Sequence, residues 1–514
     1  MKPRILLRIV VVLAALGYFA WSHLGKPANP AAARSATPIP ARATEFMLGT
    51  LKFSACELPQ KKSGATTSAF CAPFSVPENR AAPQARSIAL KLALIKSDAA
   101  AADSDIVVFL AGGPGQSAIE TWPEIAYAFA PLRRHHHVLL LDQRGTGGSN
   151  PLTCTPDGKQ SPPGMDEGFD PAQMDARTRA CLAAVKQKAD PTQYTTTEAV
   201  ADLEALRQAL GAPQFDLVGV SYGTRMAQQY LMRHPDGVRS VVLDSVAPNE
   251  LVFGADFAAN LEDALKAQFA QCAKAPDCAQ KFPDPYASLV RLRDALRAKP
   301  QNYDFRDPIT FEPAHKRLDD YTVAGLVRLF AYTPETAALL PLSIAEALNG
   351  NYTPLAGQSQ LLTADLSELS DNGMQNSVVC AEDADLLAPR PQDAATVLGT
   401  TMISVIKAQC DVWPHGARPP DFHAPLKSDK PVFVLEGEFD PVTPPRYGEQ
   451  VVKGLGNARL LVAKGQGHNV IGRGCIPKLV EDFVDNLAPK DLDVACADSL
   501  GPTPPFVDFS GSSP

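Results

Sequence analysis

Basic side chains never gather beyond the first few residues of this 514-residue chain, and the formal charge is -8, from 48 Lys and Arg against 56 Asp and Glu. Phosphate neutralisation needs clustered cations, so no nucleic-acid partner is expected. Zinc spacings are missing too. No cysteine pair stands as CxxC and no histidine pair as HxxxH, while His135, His136 and His137 are consecutive, so neighbours in a strand would face opposite ways. No metal and no cofactor are expected. The chain has no internal repeat of fixed period and lacks an apolar run that spans a bilayer comfortably. Its longest candidate, Ile9 to Trp21, has thirteen residues where a spanning helix needs about 20.

Lys2, Arg4 and Arg8 precede that run, which is the charge-then-hydrophobe pattern of an export signal. Pro27 to Thr44 then reads as a linker or cleavage-site surroundings. The expected location is periplasmic or secreted, and an uncleaved N-terminal anchor would be the sole tie to a membrane. Ten cysteines, an even count, suit an exported chain with disulfides. Pairing them in order (56 with 71, 154 with 181, 272 with 278, 380 with 410, 475 with 496) would close five modest loops. Each would stabilise by roughly 2–4 kcal/mol in the loop-entropy model. Spacing alone leaves the connectivity open.

With 45% hydrophobic and 20% charged residues the chain can bury a large core, and 46 Pro with 34 Gly are too many for a helix bundle. From Ile106 onward short continuous apolar runs end in Gly or Asp, as strands buried on both faces of a parallel sheet do. They are Ile106 to Leu110, Val138 to Leu141, Phe215 to Val220, Val238 to Leu243, Pro431 to Leu435 and Arg459 to Val462. Helical patterns lie between several of them. Glu198 to Leu210 spaces Val200, Leu203, Leu206 and Leu210 at three and four residues and stops at Gly211. This alternation predicts an α/β fold with a mostly parallel central sheet and right-handed crossovers. Between Pro248 and about Arg390 strand signals vanish and helical stretches follow, such as Phe257 to Phe269, Tyr286 to Leu296 and Tyr321 to Tyr332. A helical lid inserted between two strands is expected, above the C-terminal edge of the sheet where open α/β sheets bind ligands. The division that results is 1–44 signal or anchor plus linker, 45–249 first part of the core, 250–390 lid and 391–514 second part of the core.

The strongest local signal is Gly219-Val220-Ser221-Tyr222-Gly223, directly after one apolar run and before a helical stretch. Gly-x-Ser-x-Gly in that context builds a tight strand-to-helix turn that pushes the serine hydroxyl out of the sheet. Serine needs a base and a group that orients the base, here in the order Ser, acid, His. Asp440, in the loop Glu436 to Pro444 after an apolar strand, is the chosen acid. His468, in the glycine-rich loop Lys464 to Asn469, is the chosen base. Asp244, Glu436 and Glu438 are rival acids, whereas His234, His415 and His423 read as surface or capping residues because none follows a late strand. Backbone N–H groups of Gly113 and Tyr222 are the expected oxyanion donors. Gly113 to Ala118 also satisfies a loose dinucleotide fingerprint with Asp142 as ribose acid, but Pro114 removes an N–H that such a loop needs.

Taken together, Gly112-Gly113-Pro114-Gly115, Asp142 to Ser149, Gly219 to Thr224, Phe439 to Pro444 and Gly467-His468 resemble the tripeptidyl aminopeptidase and proline iminopeptidase branch of the α/β-hydrolases. The resemblance runs from about Cys71 to Cys496, lid included, with Ala111 where iminopeptidases usually carry His. It implies the α/β-hydrolase fold and an exported serine peptidase that releases short peptides or single residues from a free amino terminus. It also supports disulfides, since Cys154, Cys181, Cys380, Cys410, Cys475 and Cys496 fall where exported relatives carry cysteines. Such an enzyme takes peptide substrates and must recognise their ammonium group, for which Glu382 and Asp383 are the candidate carboxylates. Asp142 and Arg144 are expected to brace the loops near the site. A carboxylesterase with the same machinery and a non-catalytic binding module on the same scaffold are the alternatives.

Overall fold

The continuous apolar runs become strands without exposed faces. The computed structural model describes residues 44–59, 66–99, 105–154, 171–370 and 373–512. The export signal, anchor and linker read from residues 1–44 lie outside them, apart from Thr44. From Glu45 the chain is one unit by its contacts. Its twelve described strands are β1 (Glu45–Leu48), β2 (Leu51–Pro59), β3 (Thr66–Pro77), β4 (Ser87–Ile95), β5 (Ile106–Leu110), β6 (His137–Leu141), β7 (Phe215–Val220), β8 (Val238–Asp244), β9 (Gln301–Arg306), β10 (Pro313–Leu318), β11 (Val432–Gly437) and β12 (Ala458–Ala463).

Ten of them form one sheet in the order β1-β2-β3-β4-β6-β5-β7-β8-β11-β12. From β6 to β12 every pair is parallel. Successive side chains feed opposite cores: Val108, Leu139, Leu217 and Leu243 pack on one face, and Val107, Leu140, Val218 and Val242 on the other. Fully burying one such side chain stabilises by roughly 1.5–3 kcal/mol, which makes this doubly covered sheet the rigid base of the molecule. The helix Thr196–Leu210 starts two residues before the expected Glu198, because Thr195 accepts from Glu198 N–H as its N-cap. It ends at Gly211 in the left-handed conformation, φ 67°.

Two features depart from the sequence reading. Strands β1 to β4 form an antiparallel extension joined to β6, with Leu92 opposite Leu141. Their half-exposed faces, such as the alternation along Leu51–Pro59, carry none of the continuous apolar signal of the parallel strands. The segment between β8 and β11 is helical as expected, with Phe257–Phe269, Pro285–Ala298 and Asp320–Phe330 among its helices. It also holds the hairpin β9/β10, in which Gln301 pairs with Leu318. Phe305 is the one buried residue of β9, too little to register as a strand signal.

All ten cysteines are paired: Cys56–Cys71, Cys154–Cys181, Cys272–Cys278, Cys380–Cys410 and Cys475–Cys496. Among the described residues no helix is long and apolar enough to cross a membrane.

Candidate active site

Strand β7 ends at Val220 and the next helix, Tyr222–Arg233, begins two residues later, so Ser221 alone makes the turn. It does so at φ 54° and ψ -122°, a region costly for a residue with a β-carbon. The glycines on either side allow the close approach. A β-carbon on Gly223 would lie 2.0 Å from the Leu110 carbonyl oxygen, and one on Gly219 would lie 2.5 Å from that of Gly223. Ser221 N–H donates to the Asp244 carbonyl at 2.9 Å, which ties the turn to the end of β8.

The loop after β5 runs against the serine: a β-carbon on Gly112 would lie 3.2 Å from Ser221 Cβ. Gly113, at φ 107°, follows directly. Asp142 braces this loop and its neighbour, accepting from Ser117 Oγ at 2.6 Å, Ile119 N–H at 3.1 Å and Gly148 N–H at 2.9 Å. These bonds occupy the carboxylate that the dinucleotide reading would have given to a ribose. Arg144 is buried against Asp202 at 2.6 and 2.7 Å. Tyr222 opens its helix, where the first backbone N–H groups have no intrahelical acceptor, while its hydroxyl meets Thr196 Oγ1 at 2.7 Å and Gln143 Nε2 at 3.1 Å.

His468 Nδ1 lies 2.7 Å from Asp440 Oδ2, and both side chains are buried. The carboxylate is fixed from behind, its Oδ1 accepting from Val442 N–H at 2.7 Å and Thr443 N–H at 2.8 Å. The other acids are engaged elsewhere. Glu438 accepts from Gly465 N–H at 2.7 Å, and Glu436 accepts from Val246 N–H at 3.2 Å. Burial, with the charge of Asp440 adding to it, pushes the Glu436 carboxyl well above its ordinary range.

Asp244 holds the histidine loop. Its two oxygens accept from Val470 N–H at 2.9 Å and Ile471 N–H at 3.0 Å, and the adjacent Ser245 Oγ accepts from Asn469 N–H at 2.8 Å. A continuous hydrogen-bonded path therefore runs from the Ser221 backbone through Asp244 to the loop that carries His468. Burial raises the Asp244 carboxyl to about 6, against the opposing pull of the two N–H donors. Because the folded value lies above the ordinary 3.8, this group makes its full contribution to stability below about pH 4 and loses it as pH rises to about 6. For Asp244→Asn we expect a loop less firmly seated, since the amide turns a donor toward one of two N–H groups. Its stability deficit should be largest near pH 4 and shrink by roughly 2–3 kcal/mol toward pH 7. Urea titrations of both proteins across that range check this, and a deficit independent of pH would contradict it.

A family model described as alpha/beta hydrolase fold matches residues 105–473, which span β5 to the histidine loop. The chain belongs to the alpha/beta hydrolase family. Curated relatives of this hydrolase include the serine protease Hip1 of Mycobacterium tuberculosis, 26% identical over 86% of this chain and 90% of its own. The tripeptidyl aminopeptidase of Streptomyces coelicolor is 23% identical, with 84% of each chain covered. Carboxylesterase B of Mycobacterium tuberculosis is 28% identical over 82% of this chain and 85% of its own.

Three further placements concern the helical segment between β8 and β11 and its joints. Tyr332 follows the helix Asp320–Phe330; its carbonyl accepts from His468 N–H at 2.8 Å, and its ring meets the imidazole edge-on at 5.1 Å. Nothing local in the sequence marks it, because the contact joins segments more than a hundred residues apart. Glu382 and Asp383 are both fully buried. Thr196 N–H donates to Glu382 Oε1 at 2.7 Å, and Phe253 N–H and Arg225 Nη1 donate to Asp383 Oδ2 at 3.1 Å each. Glu382 Oε2 and Asp383 Oδ1 are left without a hydrogen-bond partner, and burial raises the Glu382 carboxyl to about 7. His423 meets the Asn249 carbonyl at 2.8 Å and, at 2.9 Å, the carbonyl of Glu382, the last residue of the helix Gly373–Glu382, so the capping role expected of it also ties two segments together.

His136 sits with Asp105 and Asp216, and His135 with Glu481 and Asp485, close enough to share an ion. Cations already occupy both groups: Arg239 lies 3.2 Å from Asp105 and 2.7 Å from Asp216, and Lys478 lies 2.6 Å from Glu481.

Proposed function

We propose that the protein is an exported serine exopeptidase that hydrolyses peptide bonds near a free amino terminus through an acyl-enzyme. The observation that carries this reading is the 2.7 Å contact between Asp440 and His468, on a loop latched through Asp244 to the turn that presents Ser221. In the proposed cycle Ser221 Oγ attacks the scissile carbonyl carbon while His468 Nε2 takes its proton, and Asp440 keeps the other imidazole proton on Nδ1. Gly113 and Tyr222 N–H groups receive the negative charge on the carbonyl oxygen. The proton passes from His468 to the departing amine, and a water activated by the same imidazole then cleaves the acyl-enzyme. Glu382 and Asp383 remain the candidates for the substrate's ammonium group through Glu382 Oε2 and Asp383 Oδ1, which accept no hydrogen bond and have only the longer contacts to Arg225 Nη1 at 3.7 Å and His423 Nε2 at 3.4 Å.

The names of the relatives support peptidase chemistry and also keep an esterase in view. Matched peptides with free and acetylated amino termini separate the two. We expect the free forms to be cleaved at least about 100-fold faster, the range for truncating one partner of a buried charge pair. Equal rates on both forms, with faster turnover of uncharged esters, would replace the exopeptidase by a carboxylesterase.

A further inference from the structure

Among the described residues, buried arginines have anions beside them, with one exception. Arg144 lies against Asp202, Arg225 against Asp383, and Arg293 against Asp294 and the carbonyls of Ala395 and Thr396. Arg328, in the last turn of the lid helix Asp320–Phe330, is only 7% exposed. Its Nη1 is fully buried and has no hydrogen-bond partner. Among the described residues no carboxylate lies within ion-pair distance of it. Its guanidinium carbon is 4.2 Å from the Phe257 ring centroid and 6.0 Å from that of Tyr332.

Aromatic faces attract a cation but supply no acceptor for the five N–H donors of a guanidinium. The carbonyl end of the helix favours positive charge without satisfying those donors either. A guanidinium whose Nη1 is desolvated and unmatched is costly to the free protein. The place where it sits suggests what relieves it. Tyr332, the more distant of its two rings, is the residue that contacts His468 through both carbonyl and ring. The orphaned guanidinium therefore stands one aromatic ring away from the proposed catalytic base.

The geometry points to Arg328 as the anchor for a carboxylate carried by the substrate near the scissile bond, which makes the preferred substrates anionic peptides. This rests on the exopeptidase reading and names its substrate class. A carboxylate would pair with the fork in bidentate fashion and give Nη1 the acceptor it lacks; a lysine could match the charge but not the fork. The carboxylate can belong to a Glu or Asp side chain or to the C-terminus of a short peptide.

The test uses free-amine peptides in matched Glu and Gln pairs, each made as C-terminal acid and as C-terminal amide. Wild type is expected to favour the carboxylate-bearing member by at least about 10-fold in kcat/KM. The pair in which the preference appears identifies side chain or terminus as its source. Arg328→Gln should bring that ratio close to one, and Arg328→Lys should leave it in between. A wild-type ratio near one in both arms overturns the proposal, as does a preference that Arg328→Gln leaves unchanged. Should neither variant fold, the wild-type ratio decides alone. Calorimetric binding of the same pairs to Ser221→Ala protein reads the carboxylate preference without turnover. Failure of a serine-directed phosphonate to label wild type would then count against the hydrolase chemistry and leave the Arg328 question to the binding ratio.

Discussion

Replacing Ser221 by alanine should lower kcat by about 10⁶-fold, the scale seen when a catalytic serine is lost, and leave the fold intact. The second half of that expectation follows from the turn. Ser221 makes no side-chain cap to the helix it precedes, and its structural bonds run through its backbone N–H to Asp244 and its carbonyl to Thr224. Alanine keeps all of these and tolerates φ 54° no worse than serine does. Ser221→Gly should be equally inactive yet more stable by about 1 kcal/mol, since glycine adopts that φ freely. A serine that is less stable than glycine at its own position has a chemical reason to be there. Turnover on a free-amine peptide, phosphonate labelling and the thermal midpoint measure the three quantities. An alanine variant that folds and still turns over at the wild-type rate would remove Ser221 from the mechanism.

The parts of the fold legible in the sequence were those whose signal is local. Ile106–Leu110 and Phe215–Val220 are buried on nearly every position, so composition alone marks them. Gly211 punctuates the end of the helix between them, whereas the Thr195 cap was not read and the expected start lay two residues late. Strands β1 to β4 escaped because each shows one face to solvent or loops, and the lid hairpin because its strands are mostly polar. The candidate site divides the same way. Ser221 sits in a motif whose glycines have a steric task, and His468 lies in a loop after a late strand. The choice between Asp244 and Asp440 was not local, since both follow buried strands. What separates them is that the Asp244 oxygens face Val470 and Ile471 N–H, whereas Asp440 Oδ2 faces the imidazole. Tyr332 and Arg328 belong to contacts that exist only once the helical segment between β8 and β11 has packed against the histidine loop and itself.

Asp440→Asn is the sharper test of that choice, and we expect kcat to fall by about 10⁴-fold with little change in structure. Val442 and Thr443 N–H groups both donate to Oδ1, so an asparagine must keep its carbonyl oxygen there. Its NH₂ group is then forced into the position of Oδ2, 2.7 Å from His468 Nδ1. A donor at that point favours the imidazole tautomer with Nδ1 bare and the proton on Nε2, the nitrogen that must accept the proton of Ser221. The base is thus present, correctly seated and in the wrong protonation form. Aspartate makes the opposite demand, holding the proton on Nδ1 and stabilising the imidazolium that forms. The expected signature is a loss carried mainly by kcat, with phosphonate labelling of Ser221 slowed in step. A loss of less than about 10-fold would mean that another acid orients the imidazole. Asp244, whose carboxylate already borders the same loop, would be the residue to examine next, by combining Asp440→Asn with Asp244→Asn and asking whether their effects multiply.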